Sequence, residues 1–307
     1  MGFFIKHSPV LSILLIASLI SGCNKDEEII IENPEPEQSA SFKVIEYLPA
    51  PGQFINEPAS GYADVTTMDE ACEYAQNRIS KSLFVSLGGW GGYIVVKSPT
   101  PIKNLNTYEF SIGSNAFTTS NEPGIVWVMQ DTNGNGLPDD EWFELKGSEY
   151  GKPGFVKDYE VTYYKSGPGE AIRWEDSLGN SGTIDRVDSY HSQETYFPLW
   201  VDAESYTLHG SLLPPNAVQN STTGEWTTLP FKWGYADNLG DDSIREEVNG
   251  VMVLKNYFRI SDAVKADGSA ANLSTIDFIK VQTGVNTNCG WLGEVSTEVC
   301  GFFIENL

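Results

Sequence analysis

From Phe42 to Ile304 the chain is cut repeatedly by Gly, Pro and Asn, and the pieces between these cuts are short and rich in β-branched and aromatic residues. Phe42–Tyr47, Tyr93–Lys97, Tyr108–Gly113, Gly124–Gln130, Trp142–Lys146 and Tyr159–Tyr164 read as strands, as do Thr195–Trp200, Tyr206–Leu213, Val251–Ile260, Ile276–Thr283 and Ser296–Ile304. Pro198 places its strand at an edge or a bulge. Short strands with frequent turns predict an all-β fold, a β-sandwich or jelly roll. No fixed-period repeat is visible, which argues against a solenoid or propeller. One segment has helical period. Thr67 and Glu70 have capping-box spacing, and Met68, Cys72, Ala75, Ile79 and Leu83 follow on one face, so a short helix is expected near 67–80.

The N-terminal stretch reads differently. Lys6 and His7 precede an apolar run from Val10 to Ile20. A membrane span needs about 20 apolar residues, so this run is too short and fits the core of a signal peptide. Ile20-Ser21-Gly22-Cys23 then reads as a lipobox, with Cys23 as the lipidated mature N-terminus. The alternative is an ordinary signal peptide with an incidental cysteine. Residues 23–40 are acidic and rich in Pro and Glu, a composition that makes a spacer rather than a core. The expected organisation is a signal peptide (1–22), a tether (23–40) and one β-sandwich ligand-binding domain (41–307), held to the membrane by the lipid alone.

Charge narrows the partners. A net charge of −23 argues against nucleic acid, which needs a basic footprint, and against docking on an anionic membrane surface. Cations or neutral ligands suit it better. Beyond Cys23 the chain has Cys72, Cys289 and Cys300, an odd number. Cys289 and Cys300 are spaced to bridge a hairpin, and Cys72 falls on the helix as a small apolar residue.

Asp131-Thr-Asn133-Gly-Asn135-Gly136-Leu137-Pro-Asp139-Asp140 is the sharpest local motif. Oxygen side chains at alternate positions, a glycine for the turn and a carbonyl from Leu137 match the first half of a calcium loop. Asp139, Asp140 or Glu141 can supply the missing carboxylates, whereas Trp142 stands where an EF-hand has its last glutamate. A structural Ca²⁺ on this loop is one reading; a turn held by its own side chains is the other.

Two further segments carry candidate ligand-binding residues. Ser86–Tyr93 places Trp90 and Tyr93 among four glycines. A Trp on such a loop can stack on a flat ligand, or fill the end of a sandwich while the glycines let backbones approach. Trp233–Asp242 adds Trp233, Tyr235 and Asn238 in a loop that mixes aromatics with acids; it can line a binding site or hold a second cation, and a solvated loop is the favoured alternative. No catalytic constellation is visible. His191 and His209 have no metal-ligand spacing, and neither a Gly-x-Ser-x-Gly elbow nor a Gly-Lys-Ser/Thr loop occurs. Paired carboxylates remain open, because they pair in space.

Several blocks together resemble a known family. They are Pro49–Asn56, Ser86–Val95, Glu122–Val126, Asp131–Trp142, Gly147–Tyr150, Gly234–Asn238, Ile276–Thr283 and Gly293–Val299. The chain is similar over these blocks to Bacteroidota lipoproteins labelled "cell surface protein", and the acidic run Lys25–Glu28 resembles their surface-export signal. The resemblance implies an outer-membrane protein facing the exterior and capturing a corrinoid (a vitamin B12-type cobamide). Its implied partners are a TonB-dependent transporter and companion surface lipoproteins. The resemblance supplies no binding-residue set. The other readings are a calcium-supported carbohydrate-binding module or adhesin, and a glycan-cleaving enzyme.

Overall fold

The computed structural model of the protein describes residues 41–62 and 65–305. The expected signal peptide, Cys23 and the tether to residue 40 lie outside the described residues. No described helix is long and apolar enough to cross a membrane.

Strands make up 39% of the chain and helix 8%, so the fold is all-β. In chain order the elements are β1 (Lys43–Leu48), α1 (Met68–Ile79), β2 (Val85–Ser86), β3 (Tyr93–Lys103), β4 (Phe110–Ser114), β5 (Gly124–Met129), β6 (Trp142–Leu145) and β7 (Val156–Tyr164). They continue as β8 (Ile172–Asp176), β9 (Ser181–Ile184), β10 (Ser205–Leu212), β11 (Ala217–Gln219), β12 (Trp226–Thr228), β13 (Ser243–Val248) and β14 (Val251–Phe258). The last are β15 (Ala263–Val264), β16 (Thr275–Thr283), β17 (Glu298–Val299) and β18 (Gly301–Ile304).

The central sheet has the order β1-β3-β16-β5-β6-β15, antiparallel throughout. A second sheet, β13-β14-β4-β18, faces it, and the main core lies between them. Tyr47, Ile94, Val96, Val126, Val128, Ile279 and Val281 come from one side; Phe110, Ile112, Phe258 and Phe302 come from the other. These are the alternate positions of the apolar runs, as a half-buried strand requires. A third sheet, β10-β7-β8-β9, builds a separate core of Tyr159, Val161, Tyr163, Ile172, Ile184 and Leu208 around Trp90. Two small ribbons, β11-β12 and β2-β17, join the loops at one end.

Helix α1 starts where the capping box predicts. The Glu70 amide donates to Thr67 Oγ1 (3.2 Å), and the Thr67 amide donates to Glu70 Oε2 (3.0 Å). Its buried face is rotated from the expected one: Ala71, Tyr74, Ala75 and Ile79 are buried, Cys72 is half-buried, and Met68 and Leu83 are exposed. Tyr74 sets the rotation by stacking on Tyr62 with ring centroids 4.0 Å apart.

Two further expectations need correction. Thr195–Trp200 is not a strand. Its Tyr196, Phe197 and Trp200 are buried, but Asn56 Nδ2 binds the carbonyls of Thr195 (3.0 Å) and Phe197 (2.7 Å), so a side chain takes the place of a ladder. Cys289 and Cys300 form no disulfide, and Cys72, Cys289 and Cys300 are free thiols. Cys300 divides β17 from β18, its amide donating to the Gly113 carbonyl (2.8 Å), while Cys289 packs with Ile125, Leu213 and Tyr235 in another cluster.

Candidate functional site

The residues nominated by sequence do not gather into one site. Trp90 is 1% exposed; its Nε1 donates to the Ser211 carbonyl (3.3 Å), and its ring meets Tyr159 edge-on at 4.6 Å. It fills the third sheet's core and offers no stacking face. The glycines beside it serve backbone approach: a Cβ on Gly92 would lie 1.8 Å from the Leu87 carbonyl oxygen, and one on Gly88 would lie 2.0 Å from that of Ala50. Tyr93 is half-buried on β3, where its hydroxyl donates to Glu46 (3.2 Å) under the Lys280 ammonium. Tyr235 is buried and its hydroxyl accepts from the Glu149 amide (2.9 Å). Asn238 is buried and clamps Phe231 through both backbone groups, at 2.7 and 2.8 Å. Tyr235 and Asn238 are therefore placed as structural ties. Trp233 alone of these lines a large cavity, of about 550 Å³, with Tyr108, Lys232, Tyr257, Arg259 and Asp242.

The Asp131–Asp140 loop is wound on its own donors. Asp131 accepts from the amides of Gly134 (2.7 Å) and Gly136 (2.8 Å), Asn133 from Asn135, and Asn135 from Leu137. Asp139 accepts from the side chains of Asn133 (3.0 Å) and Asn135 (2.9 Å), and Asp140 takes the amide and hydroxyl of Thr132. Lys97 Nζ donates to the Gly136 carbonyl (3.1 Å). The alternating oxygens thus face the loop's own N–H groups.

A second pocket, of about 560 Å³, has a composition better suited to ligand capture. Four loop regions build it: Gln53–Phe54, the segment after β4, the β11-β12 ribbon, and residues 289–298. Large apolar side chains stand exposed at its mouth: Trp291 (58%), Phe117 (52%) and Leu292 (40%), with half-buried Trp226 beside them. Gly290 has φ +61°, and a Cβ there would come within 3.0 Å of Trp226 Nε1. Glycine therefore lets the two tryptophans share the rim. Amide side chains of Gln53 and Asn115 also line the pocket.

Glu122, Glu294 and Glu298 line the pocket as well, and fully buried Asp237 lies behind them. Glu122, Asp237 and Glu298 bring oxygens within 4.8 Å of one another. The Gly124–Ala236 bridge draws the first two together, and the Glu122 amide donates to the Asp237 carbonyl (3.0 Å). Asp237 holds φ +53° and accepts from the amides of Ala116 (3.0 Å) and Glu298 (2.9 Å). Glu122 accepts from the Ser296 amide (3.0 Å), and Glu298 from Asn115 Nδ2. Burial, reinforced by the neighbouring carboxylates, holds Glu122 and Asp237 well above the usual carboxylate range. Burial also lifts Glu298 to about 7, against the Asn115 hydrogen bond and the charge of Arg78. Glu294 is pushed up to about 8 by burial, and the Gln53 amide opposes this.

Sequence reasoning missed Glu122 and Glu298, together with Trp226, Trp291 and Phe117; Asp237 falls in the Trp233–Asp242 loop read as able to hold a second cation, but was not singled out. The available signal was acids set in apolar, core-bound context: Glu294-Val295 and Glu298-Val299-Cys300. The chain matches no model of a known protein family, and no curated protein is significantly similar to it.

Proposed function

We propose that this protein is a surface lipoprotein, anchored through Cys23, that captures a corrinoid in the Trp226–Trp291 pocket and hands it to a TonB-dependent outer-membrane transporter. The observation that carries the reading is the exposed apolar rim of Trp291, Phe117 and Leu292 over a pocket of about 560 Å³. Large apolar side chains grouped at a concave mouth mark a binding surface, and a few convergent polar groups orient what binds. A corrin ring is broad and partly apolar, with amide arms that need hydrogen-bond partners. Gln53, Asn115 and the pocket carboxylates offer such partners. A structural calcium ion on the Asp131–Asp140 loop belongs to the same proposal, supported by the alternation of Asp131, Asn133 and Asn135.

The test is calorimetric titration of the purified chain with cyanocobalamin, beside Trp291→Ala. Saturable binding at micromolar concentration or tighter, lost in Trp291→Ala, is the expected result. No heat at high ligand concentration sinks the corrinoid reading. A carbohydrate-binding module is the second reading, favoured by two adjacent tryptophans flanked by carboxylates, and a glycan array then decides it.

A further inference from the structure

The three-carboxylate cluster at the pocket, with Glu122 and Glu298 in its lining and Asp237 buried behind, has an uncompensated charge problem. Glu122, Asp237 and Glu298 converge from three separate loops and strands, and no lysine or arginine is ion-paired to them among the described residues. Arg78 acts on Glu298 through its charge, and its guanidinium donates to the carbonyls of Phe84 and Ser60. Backbone amides satisfy some of the carboxylate lone pairs but carry no formal charge. Like charges gathered this closely in the interior repel unless protons or a cation bridge them.

A second observation points the same way. Glu294 is 5% exposed and lines the same pocket as Glu122 and Glu298. Its Oε1 accepts from the Gln53 amide (2.8 Å), but its Oε2 is buried with no hydrogen-bond partner. It is close enough to Glu122 to act on that carboxyl electrostatically. A buried, unpartnered carboxylate oxygen is costly, so it marks a place where a ligand atom belongs.

We propose that Glu122, Asp237 and Glu298, with Glu294 beside them, form a binding site for a hard divalent cation, calcium in the first instance, just beneath the lining of the Trp226–Trp291 pocket. The donor set is all oxygen, which selects calcium, magnesium or manganese over softer metals. Oxygens within 4.8 Å of one another can meet on one such ion, and calcium, which accepts the more flexible oxygen cages, is the ion tested. Glu122 is half-buried and faces the pocket, so a bound ion has an entry path and an open side toward whatever the pocket takes. The site is distinct from the Asp131–Asp140 loop and does not depend on the identity of the pocket's ligand.

The experiment uses the full-length chain, purified in detergent and stripped of metal by a chelator. Calcium is titrated by calorimetry and melting is followed with and without calcium. The loop variant Asp131→Asn/Asp139→Asn serves as the parent, so that only the pocket site is read. The expected result is a calcium-binding event in this parent, with a raised melting temperature in calcium. Adding Glu298→Gln is expected to weaken that event at least about tenfold, since ligand charge sets affinity in oxygen sites. It is also expected to abolish the calcium-dependent rise while leaving the metal-free melt equal or higher, because an isosteric amide relieves repulsion. Glu122→Gln, at the accessible edge, carries the same test if Glu298→Gln does not fold. A parent that binds no calcium, or a glutamine variant that binds it equally well, overturns the site.

Discussion

Replacing Trp90 by alanine separates two roles that the same glycine-flanked tryptophan suggests in sequence. In the structure its indole is 1% exposed, meets Tyr159 edge-on at 4.6 Å and donates to the Ser211 carbonyl. Truncating a buried Trp costs about 3–5 kcal/mol in transfer and cavity terms together. The edge-on aromatic contact contributes roughly 0.5–1.5 kcal/mol of such a loss, and the orphaned carbonyl roughly another 1 kcal/mol. A total near 4 kcal/mol is a large part of the roughly 5–15 kcal/mol that holds a domain together. With a urea slope of about 3 kcal/mol/M, the midpoint falls by roughly 1–1.5 M. Urea unfolding followed by tryptophan fluorescence and by far-ultraviolet circular dichroism measures this, and both probes should move together. A shift below about 0.3 M, worth roughly 1 kcal/mol on that slope, refutes the reasoning and returns Trp90 to the surface as a ligand platform.

Thr67→Ala removes the hydroxyl half of the α1 capping box and should cost about 1 kcal/mol, visible as a lowered melting temperature. Glu144 is buried against Ser211 Oγ (2.6 Å), and burial raises its carboxyl to about 7, opposed by that hydrogen bond and by Lys157. The folded chain therefore holds this proton over a range in which the unfolded chain has released it. Stability from this group is full below about pH 4.5 and is lost as pH rises to about 7. The loss is on the order of 3 kcal/mol. Melts across that range with chelator present should show the slope, and Glu144→Gln should lessen it by this group's share while Glu294 and Glu298 keep theirs. Cys289 and Cys300 are buried, which lifts their thiols to about 11 and about 12. Native protein at pH 8 should leave both unalkylated, urea should expose them, and gel mobility should not change on reduction.

Much of the fold is legible in the amino acids because strand and helix periods are local. The Thr67–Glu70 capping box marks the start of α1, and alternation in Ile276–Thr283 marks a central strand that the structure extends by one residue to Thr275. Local pattern misleads where side chains replace the ladder, as Asn56 does for Thr195–Trp200. It also leaves β2 unseen, since two residues carry no period. The pocket was illegible for a different reason. Glu122, Asp237 and Glu298 are far apart in the chain, and only the closing of one sheet end sets them together. The Asp131–Asp140 motif was conspicuous because it is contiguous, and contiguity made it outrank a cluster that exists only in space.

The pairing of β16 with β3 and β5, and of β18 with β4, has a consequence for the order in which the molecule is made. The middle of the central sheet waits for residues 275–283, and the last strand of the facing sheet waits for 301–304. Gln53 meets Glu294, and Ser86 meets Ser296, across almost the whole chain. A nascent chain therefore cannot seal its main core until residues 275–283 and 301–304 have emerged. Folding dominated by such distant contacts is slow, and its unpaired edges stay open meanwhile. Removal of β18 should therefore yield an aggregating product rather than a smaller folded one.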